Sequence, residues 1–207
     1  MSKPKGSSSG WRARQERDPY VLQARRDGWR SRAVFKLEYI LQKERLLRPD
    51  MTCIDLGAAP GGWSQYIASR LKGRGRFIAL DLLPMDTLPF VEFIQGDFTD
   101  ETVLADLLQR LGDTRADLVL SDMAPNISGN KAVDQPRAVY LAELALDFAR
   151  QVLGPKGSFV CKLFQGQGTD AFVAEARAAF ERVKIVKPPA SRAGSSEIYL
   201  VARNYRL

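Results

Sequence analysis

The 207-residue sequence contains no histidine, so the side chain most often used as a general base near neutral pH is missing and any proton must be taken by another group. Cysteine is nearly absent too. Cys53 and Cys161 stand far apart inside apolar runs, without metal-ligand spacing, and read as buried thiols of a reducing compartment. No apolar stretch approaches the roughly 20 residues of a membrane span, and the opening MSKPKGSSSG lacks the apolar segment of a secretory signal; a cytoplasmic protein is expected. The dinucleotide pattern GxGxxG is also missing. Ala59 replaces its second glycine and Pro60 occupies the middle of the turn, which turns the reading away from a nicotinamide cofactor.

What is present is unevenly distributed. Residues 1–50 hold 13 of the 31 Lys and Arg but 6 of the 24 acids, and so carry the whole formal charge of +7, while the remainder has 18 of each sign. A neutral body with a basic arm fits a polyanionic partner; the plainer alternative is a solubilising tail. Met1 to Gly10 is rich in Ser, Gly and Lys and is expected to be disordered. From Trp11 to Arg32 arginines alternate with Trp11, Tyr20 and Trp29, a composition suited to phosphate contacts and base stacking. The candidate RNA-contacting residues are Arg25, Arg26, Arg30 and Arg32, with Arg192 in the loop Ser191–Ser195. The expected organisation is a basic, partly disordered arm over 1–30 and a single domain over 31–207.

Ser31 to Leu47 has helical spacing at Val34, Leu37 and Leu41, with Ser31 as a candidate cap. Beyond it, β-rich runs alternate with helical patterns. Strands are expected at 51–56, 76–80, 91–95, 117–121, 158–164, 183–186 and 197–202, with helices at 62–71, 101–111, 136–153 and 170–180. Such alternation predicts an α/β fold, a parallel sheet covered by helices on both faces. Ligands of such sheets bind beyond the carboxyl ends of the strands.

At that edge the first strand runs into Asp55-Leu-Gly-Ala-Ala-Pro-Gly-Gly-Trp-Ser-Gln65, a glycine-rich loop opening a helix, where Gly57, Gly61 and Gly62 permit close backbone approach. Asp81, after the second strand, is placed to accept from two ribose hydroxyls, and Asp97, after the third, from an adenine amino group. Either alone reads more readily as a turn aspartate; both together behind a glycine loop reverse that and indicate a nucleoside-like ligand. Asp122 ends the fourth strand, and Lys162 lies in the apolar fifth, an unusual place for an ammonium. Glu197 begins the last strand; if that strand is antiparallel, Glu197 joins Asp122 and Lys162 at the ligand edge.

The strings DLGAAPGGWSQ, DLLPMD, QGDF, LSDMAPN, CKLFQG and SSEIYLVA resemble the FtsJ/RrmJ (RlmE) family of ribosomal RNA large-subunit 2′-O-ribose methyltransferases, over about Trp11 to Tyr205. The resemblance implies a Rossmann-like methyltransferase fold, its seven-stranded sheet mostly parallel with an antiparallel last strand. It implies S-adenosylmethionine as cofactor, contacted by Gly61, Trp63, Asp81, Asp97 and Asp122. It also implies a catalytic tetrad of Lys36, Asp122, Lys162 and Glu197, of which Lys36 by itself reads as one more basic residue of the arm. The implied acceptor is a uridine of 23S ribosomal RNA in the 50S subunit; a monomer is expected, though the sequence itself does not give the oligomeric state. A ribose 2′-hydroxyl must lose its proton as it attacks, and Lys162 is the expected acceptor, provided it is uncharged. Alternatively a charged Lys162 orients the hydroxyl or stabilises its developing charge. A sulfonium methyl donor requires no metal. Competing functions are a transfer RNA 2′-O-methyltransferase and a non-catalytic, RNA-binding assembly factor. A methyltransferase of DNA or small molecules is disfavoured because Asp122-Met-Ala-Pro125 stands where amino methylases carry an asparagine-proline-proline motif.

Overall fold

The structure, a computed structural model, describes residues 17–206. The disordered segment expected over 1–10, and Trp11, lie outside the described residues. The order of elements is α1 (Pro19–Arg26), α2 (Val34–Glu44), β1 (Thr52–Leu56), α3 (Gly62–Leu71), β2 (Arg76–Asp81), β3 (Glu92–Gln95), α4 (Glu101–Leu111), β4 (Ala116–Ser121), α5 (Lys131–Val152), β5 (Leu153–Phe164), α6 (Thr169–Ala179), β6 (Phe180–Val186) and β7 (Glu197–Tyr205).

The seven strands form one sheet in the order β3-β2-β1-β4-β5-β7-β6. All neighbours are parallel except β7, which runs antiparallel to both β5 and β6. Strand order reverses between β1 and β4, so the crevice above their carboxyl ends is where a ligand of this fold settles. Side chains alternate across the sheet. Ile54, Leu56 and Val119 therefore enter the core against α4, α5 and α6, through residues such as Leu107, Leu146 and Phe172. Cys53, Leu118 and Leu120 point the other way, into the core with Leu37 and Ile40 of α2 and Ile67 of α3. Burial pushes the Cys161 thiol up to about 12 and raises that of Cys53, so both pack as neutral groups.

Several boundaries differ from the sequence reading for local reasons. Ser31 does not cap α2, which starts after Ala33 without a side-chain cap. Its hydroxyl instead sits over α3, where a Cβ on Gly62 would come within 2.3 Å of it. Helix α5 begins at Lys131, not Pro136, because the Asn130 carboxamide accepts from the Ala132 N–H at 3.1 Å and opens the helix five residues earlier. Pro136 is carried inside the helix. In β5 the pairing moves from Ala116–Leu153 to Leu118–Ser158, so residues 154–157 bulge out of the ladder and the regular strand begins where expected, at Ser158. Strand β7 continues past Ala202 because Arg203 and Tyr205 pair with Arg182 and Phe180 of β6. Part of the basic arm is helical: Asp18 caps α1 by accepting from the Tyr20 N–H at 3.0 Å, and Pro19 takes the first position.

Candidate active site

The antiparallel course of β7 assembles the catalytic candidates. Its register sets Tyr199 opposite Lys162 and Glu197 opposite Phe164. Asp122 follows β4, held by its N–H donating to the Leu56 carbonyl at 3.0 Å. The Lys162 Nζ donates to the Asp122 carbonyl oxygen at 2.6 Å and lies 3.2 Å from Asp122 Oδ1. Lys36 comes from α2, with its Nζ 2.6 Å from Glu197 Oε1. All four expected tetrad residues thus meet at one sheet edge as two ion pairs, with the lysine side chains 9% and 14% exposed at Lys162 and Lys36.

A fifth residue, which the sequence reading did not single out, joins the pairs. Tyr199 is fully buried, and its hydroxyl donates to Asp122 Oδ1 at 3.2 Å. Burial first, then the carboxylates of Asp122 and Glu197, push its phenol well above the usual range, so it remains a donor. Burial would also raise the Glu197 carboxyl, but the Lys36 charge and hydrogen bond, the Lys162 charge and the Ser191 hydroxyl at 3.1 Å together hold it below the ordinary carboxylate range.

On the β1 and β2 side the glycine loop leads into α3 with Gly61 at its N-cap. Gly57 has φ +80° and packs so closely against the chain after β4 that a Cβ would lie 2.8 Å from the Met123 nitrogen; only glycine fits. Asp81 Oδ2 accepts from the Ala59 N–H at 2.8 Å and Oδ1 from the Leu83 N–H at 2.8 Å, so this carboxylate shapes both loops. Asp97 is exposed, and its Oδ1 accepts from the Thr99 backbone at 2.9 Å and hydroxyl at 2.7 Å. Trp63 is buried; its indole N–H donates to the Ala33 carbonyl at 2.9 Å, and its own backbone N–H belongs to the first turn of α3, which lacks intrahelical acceptors.

Beneath this loop lies a second residue that the sequence reading did not single out. Asp55 is fully buried; Oδ2 accepts from Ser64 at 2.8 Å, while Oδ1 has no partner among the described residues. Burial pushes its carboxyl up to about 7, the Ser64 bond opposing and the charges of Asp122 and Asp81 adding to the rise. A cationic ligand would relieve that concentration of carboxylates. The donor set therefore suits a nucleoside bearing an ammonium and a sulfonium: free helix N–H groups, aspartates after successive strands and an orphaned buried carboxylate oxygen.

The expected RNA-contacting arginines divide. Arg25 and Arg26 are exposed on α1, the latter paired with Asp27 at 3.0 Å. Arg30 donates to the carbonyls of Asp86 at 2.8 Å, Thr87 at 3.0 Å and Pro60 at 3.4 Å, bracing the glycine loop. Arg32 is bonded to Asp18 and to the Ala190 carbonyl. Arg192 is half exposed and 3.5 Å from Asp18. Arg32, Lys36 and Arg192, with Ser195 and Glu197, line a cavity of about 220 Å³ against the tetrad. No helix among the described residues is long and apolar enough to cross a membrane.

Comparison with known proteins identifies the family. The FtsJ-like methyltransferase family model matches residues 29–205. A Plasmodium falciparum protein assigned as a ribosomal RNA methyltransferase is 31% identical, with TM-score 0.76, over 86% of this chain and 98% of its own. Human methyltransferase-like protein 13, solved with SAH, shares 15% identity at TM-score 0.58 over 83% of this chain and 80% of its own. A Lactococcus lactis protein assigned as a hemolysin shares 16% at TM-score 0.58, covering 85% and 88%. The last two show the fold alone.

Proposed function

The chain belongs to the FtsJ-like methyltransferase family, and from that premise we propose that it methylates the 2′-hydroxyl of a uridine in 23S ribosomal RNA, acting as a cytoplasmic monomer on the assembled 50S subunit. S-adenosylmethionine, when bound, supplies an electrophilic methyl group. Gly57, Gly61, Trp63, Asp81, Asp97 and Asp122 are the residues that would hold it, with Asp55 beneath them.

The observation that carries the reading is the environment of Lys162 Nζ. To accept a proton Lys162 must first give up the charge it carries in its pair with Asp122, and the neutral amine then has two N–H donors and one lone pair. Asp122 offers two acceptors on one side, its carbonyl at 2.6 Å and its carboxylate at 3.2 Å. With both N–H groups directed there, the lone pair faces away from Asp122, towards an incoming hydroxyl. Lys162 then takes the 2′-proton as the oxygen becomes nucleophilic, and the resulting ammonium is stabilised by the same carboxylate. Lys36, fixed by Glu197, places a positive charge beside the oxygen as it loses its proton. Tyr199 holds Asp122 from behind.

The acceptor is read as RNA because the tetrad is bordered by the cavity of Arg32, Lys36 and Arg192, which suits a phosphate, and because exposed Arg25 and Arg26 extend the basic surface. The ribosomal assignment of the Plasmodium falciparum protein favours ribosomal over transfer RNA. The test is methyl transfer from labelled S-adenosylmethionine to large subunits isolated from a strain lacking this enzyme. Labelling by the wild type that Lys162→Ala abolishes supports the reading, and label on transfer RNA instead would overturn the substrate assignment.

A further inference from the structure

A second and larger cavity, of about 610 Å³, is lined by none of the residues expected to hold the cofactor. Its walls come from the three segments adjoining the catalytic strands. Ile127 lies on the chain that follows Asp122, Phe164 to Gln167 follow Lys162, and Ser196 immediately precedes Glu197; the first turns of α5 close the far side. Along β5 the step from Lys162 to Phe164 is about 7 Å, close to the reach from a ribose 2′-oxygen to the far edge of its own pyrimidine.

The lining chemistry is that of a nucleobase site, with a few polar groups set among apolar walls. Ile127, Pro136 and Phe164 provide flat apolar surface, and Ile127 is 64% exposed. Gln135 provides direction. Its Nε2 donates both to the Phe164 carbonyl at 2.9 Å and to the Gln167 carbonyl at 3.1 Å, which leaves no ambiguity over which end of the amide is nitrogen. Gly166 permits this approach, since a Cβ there would lie 2.9 Å from the Gln135 carboxamide carbon. The Gln135 Oε1 has no hydrogen bond among the described residues. It is a fixed acceptor.

We infer that this cavity receives the base of the acceptor nucleotide, turned out of its helix, and that Gln135 Oε1 selects uracil by accepting from its N3–H. This rests on the uridine 2′-O reading above and extends it. The two cavities flanking the tetrad then serve one nucleotide, phosphate towards Arg32 and Arg192, ribose hydroxyl at Lys162, and base towards α5. Cytosine has a bare acceptor nitrogen at the corresponding position and would set two lone pairs against each other; discrimination of this kind comes from unpaired buried polar groups.

The probe is uridine 5′-monophosphate titrated into the full chain saturated with S-adenosylhomocysteine, read by NMR of the glutamine side-chain amides. Shifts at Gln135, Gln165 and Gln167 are expected, with cytidine 5′-monophosphate binding about tenfold more weakly. Gln135→Leu should erase that preference. Ala132→Trp, which fills the cavity from an exposed helix position, should abolish the shifts and raise KM for large subunits about tenfold while leaving S-adenosylhomocysteine affinity unchanged. Equal binding of the two nucleotides, shifts confined to other residues, or an unchanged KM in Ala132→Trp would overturn the inference. Absence of methyl transfer by the wild type would instead overturn the function it rests on; the nucleotide titration reads the cavity either way.

Discussion

Lys162 and Asp122, forty residues apart in the chain, are joined twice: Nζ lies 2.6 Å from the Asp122 carbonyl oxygen and 3.2 Å from its carboxylate. The backbone contact means that Asp122 can orient the amine even when its carboxylate is engaged elsewhere. Lys162→Met, which keeps the length of the side chain, should lower kcat by a factor of about 10²–10⁴, with the S-adenosylhomocysteine dissociation constant within about twofold of wild type. Single-turnover methylation and calorimetric titration measure the two quantities.

Tyr199 separates support from chemistry. Tyr199→Phe removes one hydrogen bond to the Asp122 carboxylate and leaves the ring in place against Trp63, 5.8 Å away between centroids. Stability should fall by about 1 kcal/mol in denaturant titration and kcat by about tenfold or less, far short of the Lys162 effect. A loss as large as that of Lys162→Met would make Tyr199 a participant in proton transfer.

Asp55 links pH to both folding and cofactor binding. The unfolded chain releases this proton near 3.8 and the fold retains it to about 7. Its contribution to stability is therefore full below about pH 4 and declines as pH rises towards 7, then levels off. Asp55→Asn should melt close to wild type at pH 4 and several degrees higher at pH 8. The ionised carboxylate is the form that attracts a cationic ligand, so wild-type cofactor affinity should increase as pH rises through about 7, and the asparagine variant should lose that slope. Melting curves and titrations at both ends of the range check the two signs.

The arginines should not behave alike. Arg25→Gln with Arg26→Gln should weaken binding to ribosomal RNA and lower its salt slope by up to about 2, with no change in cofactor affinity. Arg30→Ala should reduce cofactor affinity as well, since Arg30 braces the glycine loop through Pro60, Asp86 and Thr87. Binding measured across a salt series resolves the two classes.

These contrasts show what was legible in the sequence. Asp122, Lys162 and Glu197 could be placed together because strand ends and strand direction are local patterns, and an antiparallel last strand brings its first residue to the edge where parallel strands end. Lys36 could not, because nothing in its helix indicates that α2 packs beside β7; it was reached through resemblance alone. Tyr199 had a signal that went unread: it lies two residues from Glu197, so it shares that face of β7. The packing of Ser31 on Gly62 and the orphaned oxygen of Asp55 depend on contacts between elements, which periodicity does not encode. The helix expected from 136 starts at Lys131, and the opening signal lies in Asn130 with Asp134 in the first turn.

The most direct measurement is the position of the transferred methyl group. Large subunits from a strain lacking this enzyme are incubated with the protein and labelled S-adenosylmethionine, and the RNA is hydrolysed with alkali, which leaves intact the linkage after a 2′-O-methylated nucleotide. The account predicts all label in one alkali-resistant dinucleotide beginning with uridine, from 23S RNA, and none with Lys162→Met. Label in alkali-released mononucleotides, marking a methylated base, would contradict it.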